Sequence, residues 1–169
     1  MRNNRVVLGL EFLEDRTMPS GANPFANLIP AQVAQNEVVH FNQIAGSGGG
    51  SYSVDRSHPD AGNILHLLGS AHLGTAGQFI VTGGIQSVGN VATGHATGQL
   101  TFRDNHGSFT IFVTGGIQHG ISPFPGKYQY HVLHGTGAYT HMAAHGTVDL
   151  VRHPGPSGGG TYQINFKVH

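Results

Sequence analysis

Thr161-Tyr162-Gln163-Ile164-Asn165-Phe166-Lys167-Val168 is the stretch on which the reading of the fold turns. In an extended chain Tyr162, Ile164, Phe166 and Val168 point one way, and Gln163, Asn165 and Lys167 the other. That period of two marks a strand with one face in a core and one in water. The same pattern recurs upstream as Tyr128, Tyr130 and Val132, and as Phe109, Ile111 and Val113. Weaker runs at Glu37–Gln43 and Ser51–Val54 also predict strands, and Asn63–Leu68 is a stronger apolar run. Gly77–Thr82, Ala96–Arg103, Ser108–Thr114, Lys127–His134 and Thr147–Arg152 complete the set. No segment after residue 37 carries a helical stripe of useful length.

Short strands separated by glycine clusters predict an all-β domain. About eight such strands must hide their edges, in a closed antiparallel barrel or a two-sheet sandwich. Glycine favours the barrel, because it permits bulges and tight coiling where a small barrel turns its corners. Gly69, Gly74, Gly94, Gly98, Gly107, Gly115, Gly116, Gly135, Gly137 and Gly146 are placed for that role. Gly46–Gly50 and Gly158–Gly160 read as flexible turns, lacking the Lys and helix of a phosphate loop. Arg103–Gly107 reads as a hairpin turn, with Asn105 and Gly107 taking the special backbone angles. Val81-Thr82-Gly83-Gly84-Ile85-Gln86 recurs 32 residues later as Val113-Thr114-Gly115-Gly116-Ile117-Gln118. Each copy is expected to end a strand. Two copies are too few for a solenoid.

Composition narrows the function classes. Of 169 residues only 9% are charged, with eight basic and eight acidic side chains. No excess of Lys and Arg is present to neutralise a phosphate backbone, so nucleic acid is not an expected partner. No apolar run approaches the ~18 residues of a transmembrane helix, so no membrane span is expected. Cysteine is absent, so disulfides and thiolate chemistry are excluded.

Residues 1–20 differ from the rest. Arg2 and Arg5 precede Val6-Val7-Leu8-Gly9-Leu10, a run shorter than the ~7–15 residues of a signal-peptide core. A short amphipathic helix is one reading. Leu10-Glu11-Phe12-Leu13-Glu14-Asp15-Arg16, followed by Pro19-Ser20, resembles the Leu-Glu-x-Leu-Glu-x-Arg sorting segment of exported planctomycete-type bacterial proteins. That resemblance implies an extracellular or cell-surface location. Residues 21–36 read as a linker, and 37–169 as the barrel domain.

Gly69-Ser70-Ala71-His72-Leu73-Gly74, leading to Phe79, and Gly135-Thr136-Gly137-Ala138-Tyr139, leading to Gly146, carry a second resemblance. They are similar to bacterial small β-barrel proteins related in shape to allene oxide cyclase and dirigent proteins. His141 and Ala144 stand where that group carries glycine, which implies a differently coiled turn. The shared motifs are turns and strand ends, so they speak to fold more than to function.

Phe79, Phe109, Tyr128, Tyr130, Tyr162 and Phe166 are placed to line a lumen, as core or as pocket wall. Asp149 alternates with Val148 and Leu150. With those two inward it faces solvent; in the opposite register it would enter the lumen, with a raised pKa and acid–base potential. Of the 13 histidines, His131, His134, His141 and His145 are the best ligand candidates. Three-residue spacing puts His131 and His134 on opposite faces of a strand, so no metal site and no cofactor are expected. No nucleophile elbow is present. The leading expectation is an exported or cell-surface, non-enzymatic binding or structural barrel of unknown ligand, with a small apolar molecule as the candidate partner. The alternatives are a catalyst resembling allene oxide cyclase or dirigent proteins, guiding an apolar substrate by pocket shape, and a His-dependent metal binder.

Overall fold

The computed structural model describes residues 43–57, 62–88, 94–117 and 122–167. Residues 1–42, which include the expected sorting segment, the expected linker and most of the strand expected at 37–43, lie outside them. Gln43 sits in a bend.

Eight strands follow in order: β1 (Gly46–Asp55), β2 (Ile64–His72), β3 (Gln78–Val88), β4 (His95–Arg103), β5 (Gly107–Gly116), β6 (Lys127–Gly137), β7 (His145–Pro154) and β8 (Gly159–Lys167). Each pairs antiparallel with the next, and β8 pairs with β1. The fold is therefore a closed all-β barrel: the alternating pattern predicts the strands, and the glycine placement predicts the barrel over the sandwich. Closure leaves no unpaired strand edge. One 3-10 turn, Gly74–Ala76, is the sole helical element among the described residues.

Alternation sets the layers. On β8, Tyr162, Ile164 and Phe166 are buried while Thr161, Gln163 and Lys167 are exposed. Leu65 and Leu67, Val81 and Ile85, Leu100 and Phe102, and Val148 and Leu150 repeat the inward set on neighbouring strands. Ser, Thr, Gln and His dominate outside. This explains how a chain with so few charges covers an apolar core.

The two ends of the barrel differ. The chain enters at Gly46 and leaves at Lys167 on one rim, called here the entry rim. Ile44, Leu73, Tyr139 and Met142 are buried there. The Tyr130 hydroxyl accepts from Ile44 N at 3.1 Å and ties down the entering chain. The opposite, far rim carries the β1–β2, β3–β4, β5–β6 and β7–β8 connections.

Glycine does more than turn corners. Gly46–Gly50 is not a flexible loop but the first half of β1, and Gly159 and Gly160 open β8. The reason is steric. Tyr162 pairs with Gly50, which pairs with Gly69. A Cβ on Gly69 would lie 2.7 Å from the Tyr162 hydroxyl. The ring therefore lies across a floor of bare backbone. Tyr130 likewise covers Gly146. The first copy of the repeat does not end a strand either: Gly83 and Gly84 lie inside β3, whereas Gly115 and Gly116 end β5. Nor does Asn105 take a left-handed angle, since no non-glycine residue among those described has positive φ. The Asp104 carboxylate shapes that turn, accepting from His106 N at 2.8 Å and Gly107 N at 3.0 Å.

Candidate functional site: the far-rim pocket

Where the inward side chains go decides what the barrel can hold. All six aromatic candidates point inward and are buried. Phe109 stacks on Phe102 with ring centroids 4.9 Å apart and meets Phe79 edge-on at 5.5 Å. Phe166 meets Phe102 at 5.6 Å and Tyr130 at 5.2 Å. The rings occupy the entry half of the lumen as packing. Tyr128 and Tyr162 lie deeper toward the far rim, and neither hydroxyl has a hydrogen-bond partner among the described residues. Burial pushes the Tyr162 phenol up to about 12. Burial also raises the Tyr128 phenol, against the nearby Arg152 charge. Both stay neutral at ordinary pH.

Asp149 does not reach the lumen. Val148 and Leu150 are buried on either side of it, so its carboxylate faces out and pairs with Lys167 Nζ at 2.5 Å. The outward register of the two orientations is the one adopted, because the inward positions of β7 go to Val148 and Leu150. None of the three described aspartates, Asp55, Asp104 and Asp149, lies in the barrel interior.

One pocket, of about 580 Å³, opens at the far rim; a smaller one of about 160 Å³ lies at the entry rim among Ile44, Leu73, Phe109 and Met142. β7 builds one wall. Its inward series continues past Val148 and Leu150 to Arg152, the register partner of Tyr162. The connection before β6 folds over the mouth, and Gly126 O accepts from Leu150 N at 2.8 Å. That places Phe124, 2% exposed, beneath the guanidinium, which sits 5.3 Å from the ring centroid. Arg152 Nη2 donates to Ser122 Oγ at 2.5 Å and to Phe124 O at 2.9 Å. Tyr52 and Val54 from β1 supply apolar wall, and Arg56 and Asn63 line the rim. No carboxylate is among the lining residues. Sequence reading missed Arg152, Arg56, Ser122 and Phe124. The readable signal was Arg152 itself, a charged residue on the inward phase of an alternating strand.

At the entry rim a polar cluster locks two loops together. The Asp104 side chain, 7% exposed, accepts from the Tyr139 hydroxyl at 2.7 Å and lies 3.1 Å from His106 Nδ1. Burial alone would push the Asp104 carboxyl up. The hydrogen bonds from Tyr139, His106 and Gly107 outweigh it and hold the carboxyl below its ordinary value. A lowered folded-state pKa contributes stability that is complete above the unfolded value and disappears as pH falls through the folded one. Asp104→Asn is therefore expected to lower stability by about 2 kcal/mol at pH 7. The deficit should shrink as the pH drops below about 4. Urea denaturation of both proteins at pH 7 and pH 3 measures it, and an unchanged deficit at pH 3 would refute a charged Asp104.

The nine histidines among the described residues are all exposed. His131 and His134 share the outer face, contrary to their spacing. The pairing of β5 with β6 shifts register between Thr110 and Ile111, whose partners are His134 and Val132. Leu133 is the extra residue, and it restores His134 to the face of His131. His145 is the register partner of His131. No cluster of three or more His, Asp or Glu forms among the described residues.

The fold and site define a small, closed, antiparallel β-barrel with a ring-filled entry half and a pocket at each rim. Compared with family models, curated proteins and solved structures, the chain matches none.

Proposed function

We propose that this chain is an exported or cell-surface, non-enzymatic barrel that binds a small, largely apolar ligand at its far rim. One observation carries the binding part. The ring-filled lumen offers no inward carboxylate or imidazole among the described residues, while the far-rim pocket is open and walled by Tyr52, Val54 and Phe124. Shape-guided catalysis needs a reaction chamber that closes around substrate, and the rim pocket is a mouth rather than a chamber. The export part rests on Leu10–Arg16 and its resemblance to a sorting segment.

A thermal-shift screen of small apolar compounds tests binding. A ligand held only by the folded state at 100 times its Kd adds about 2.7 kcal/mol of stability. Hits are expected to lose their shift in Val54→Trp, which fills the pocket wall. A set of hits that all survive Val54→Trp places binding elsewhere and defeats this reading. Turnover of any hit would favour the catalyst instead. Fractionation of the native host tests location, and protein confined to the cytosol would defeat export.

A further inference from the structure

We propose that the far-rim pocket is specific for a small amphipathic carboxylate, with its headgroup on Arg152 and Arg56 and its apolar body on Tyr52 and Phe124. This rests on the binding reading above and names the ligand class for the same site.

Arg152 carries a charge with no anionic partner among the described residues. Arg152 is half-buried, and a guanidinium taken partly out of water is costly unless an anion pairs with it. Its described partners are neutral: the Ser122 hydroxyl, the Phe124 carbonyl and the Phe124 ring. Both hydrogen bonds use Nη2. The remaining nitrogens, Nη1 and Nε, make none among the described residues. A guanidinium presents five donors in a rigid fork that matches a carboxylate through two parallel bonds.

The neutral partners also aim it. Two bonds and a ring hold Arg152 in place before any ligand arrives, so little side-chain entropy is lost on binding. Arg56 adds a second positive charge to the same pocket and makes no ion pair among the described residues. None of the acidic side chains described is among the lining residues. Asp149 is outside with Lys167, Asp104 is at the opposite rim, and Asp55 is not among the lining residues. Among the described residues the lining thus combines two positive charges, no carboxylate and aromatic walls. An inorganic anion would leave the walls unused, and a neutral apolar ligand would leave two guanidiniums unpaired.

The test uses the full chain, isothermal titration at low ionic strength, and three probes: 4-phenylbutyrate, its neutral counterpart 4-phenylbutanol, and acetate. 4-Phenylbutyrate is expected to bind at least tenfold tighter than 4-phenylbutanol, with acetate too weak to measure. Affinity for 4-phenylbutyrate should fall as salt is raised. Arg152→Gln should weaken 4-phenylbutyrate at least tenfold and leave 4-phenylbutanol within about twofold. Because Arg152 also anchors the Ser122–Phe124 segment, Arg56→Gln provides a second variant on an exposed residue. It should weaken 4-phenylbutyrate about threefold or more while the melting temperature stays unchanged. Equal binding of 4-phenylbutyrate and 4-phenylbutanol overturns the carboxylate inference but leaves the apolar-ligand reading standing. Tightest binding by acetate marks a bare anion site and overturns it as well. No binding by any probe, together with an empty thermal-shift screen, overturns both.

Discussion

Phe109→Ala is expected to lower stability by about 4 kcal/mol. Phe109 is 1% exposed at the centre of the entry-half ring cluster. It stacks on Phe102 with the planes 5° apart, and its ring also meets Phe79 and Tyr139 at 5.5 Å and 5.7 Å. Truncation removes the transfer free energy of a whole ring. It also leaves a cavity that these three neighbours cannot close, because each is held by a strand or by the Tyr139–Asp104 hydrogen bond. Phe112→Ala, three residues along β5 on the outer face, is the matched control and should cost about 1 kcal/mol. Guanidinium denaturation of both variants decides the matter. A Phe109→Ala deficit no larger than that of Phe112→Ala would mean the lumen is not closely packed around this ring.

Gly98→Val is expected to abolish cooperative folding. Gly98 lies on the inward face of β4, opposite Ile85 of β3. A Cβ there would sit 2.2 Å from Gly84 O and 2.7 Å from Ile85 Cα. Both are backbone atoms, so no rotamer change relieves the clash, and β3 and β4 would have to separate. Overpacking typically costs about 1–3 kcal/mol where side chains can adjust. Here the adjustment would break a ladder in a closed barrel, and the loss should exceed that range. Gly116 is the control, since a Cβ there meets nothing within 4 Å. Gly116→Val should melt like the parent, followed by far-ultraviolet circular dichroism. A cooperative Gly98→Val transition at the parent temperature would show that the strands are less tightly apposed than described.

The two variants bear on how far the fold was readable. Period-two alternation is a local signal, and it identified β4 to β8 almost to their ends. It failed where strands are built of glycine. Gly46–Gly50 has no apolar side chain to alternate, so nothing in that stretch announces a strand. Its extended form is imposed by β2 and β8, which pair with it on both sides. The same local logic put His131 and His134 on opposite faces. One extra residue at Leu133 reversed the parity beyond it, and a bulge of that kind leaves no mark on spacing.

The candidate site was less legible than the fold. Aromatic residues were rightly placed inward, yet they fill the lumen more than they line a vacancy. The pocket depends on Arg152, Ser122 and Phe124, where a strand end meets a connection about 30 residues earlier in the chain. Nothing in the local pattern joins them. Asp149 shows the opposite case: alternation offered two orientations, and the burial of Val148 and Leu150 selected the outward one.

By itself the sequence determined an all-β chain of about eight strands with a neutral, polar exterior, because alternation and glycine punctuation act over a few residues. The tertiary structure alone decided which glycines lie beneath Tyr162 and Tyr130, which face His134 takes, and that the Arg152 guanidinium meets Ser122 and Phe124 at the far rim. Those outcomes depend on which strands meet when the barrel closes, and on the stagger at which they meet. Closure joins β1 to β8 across the length of the domain, so no window along the chain contains it.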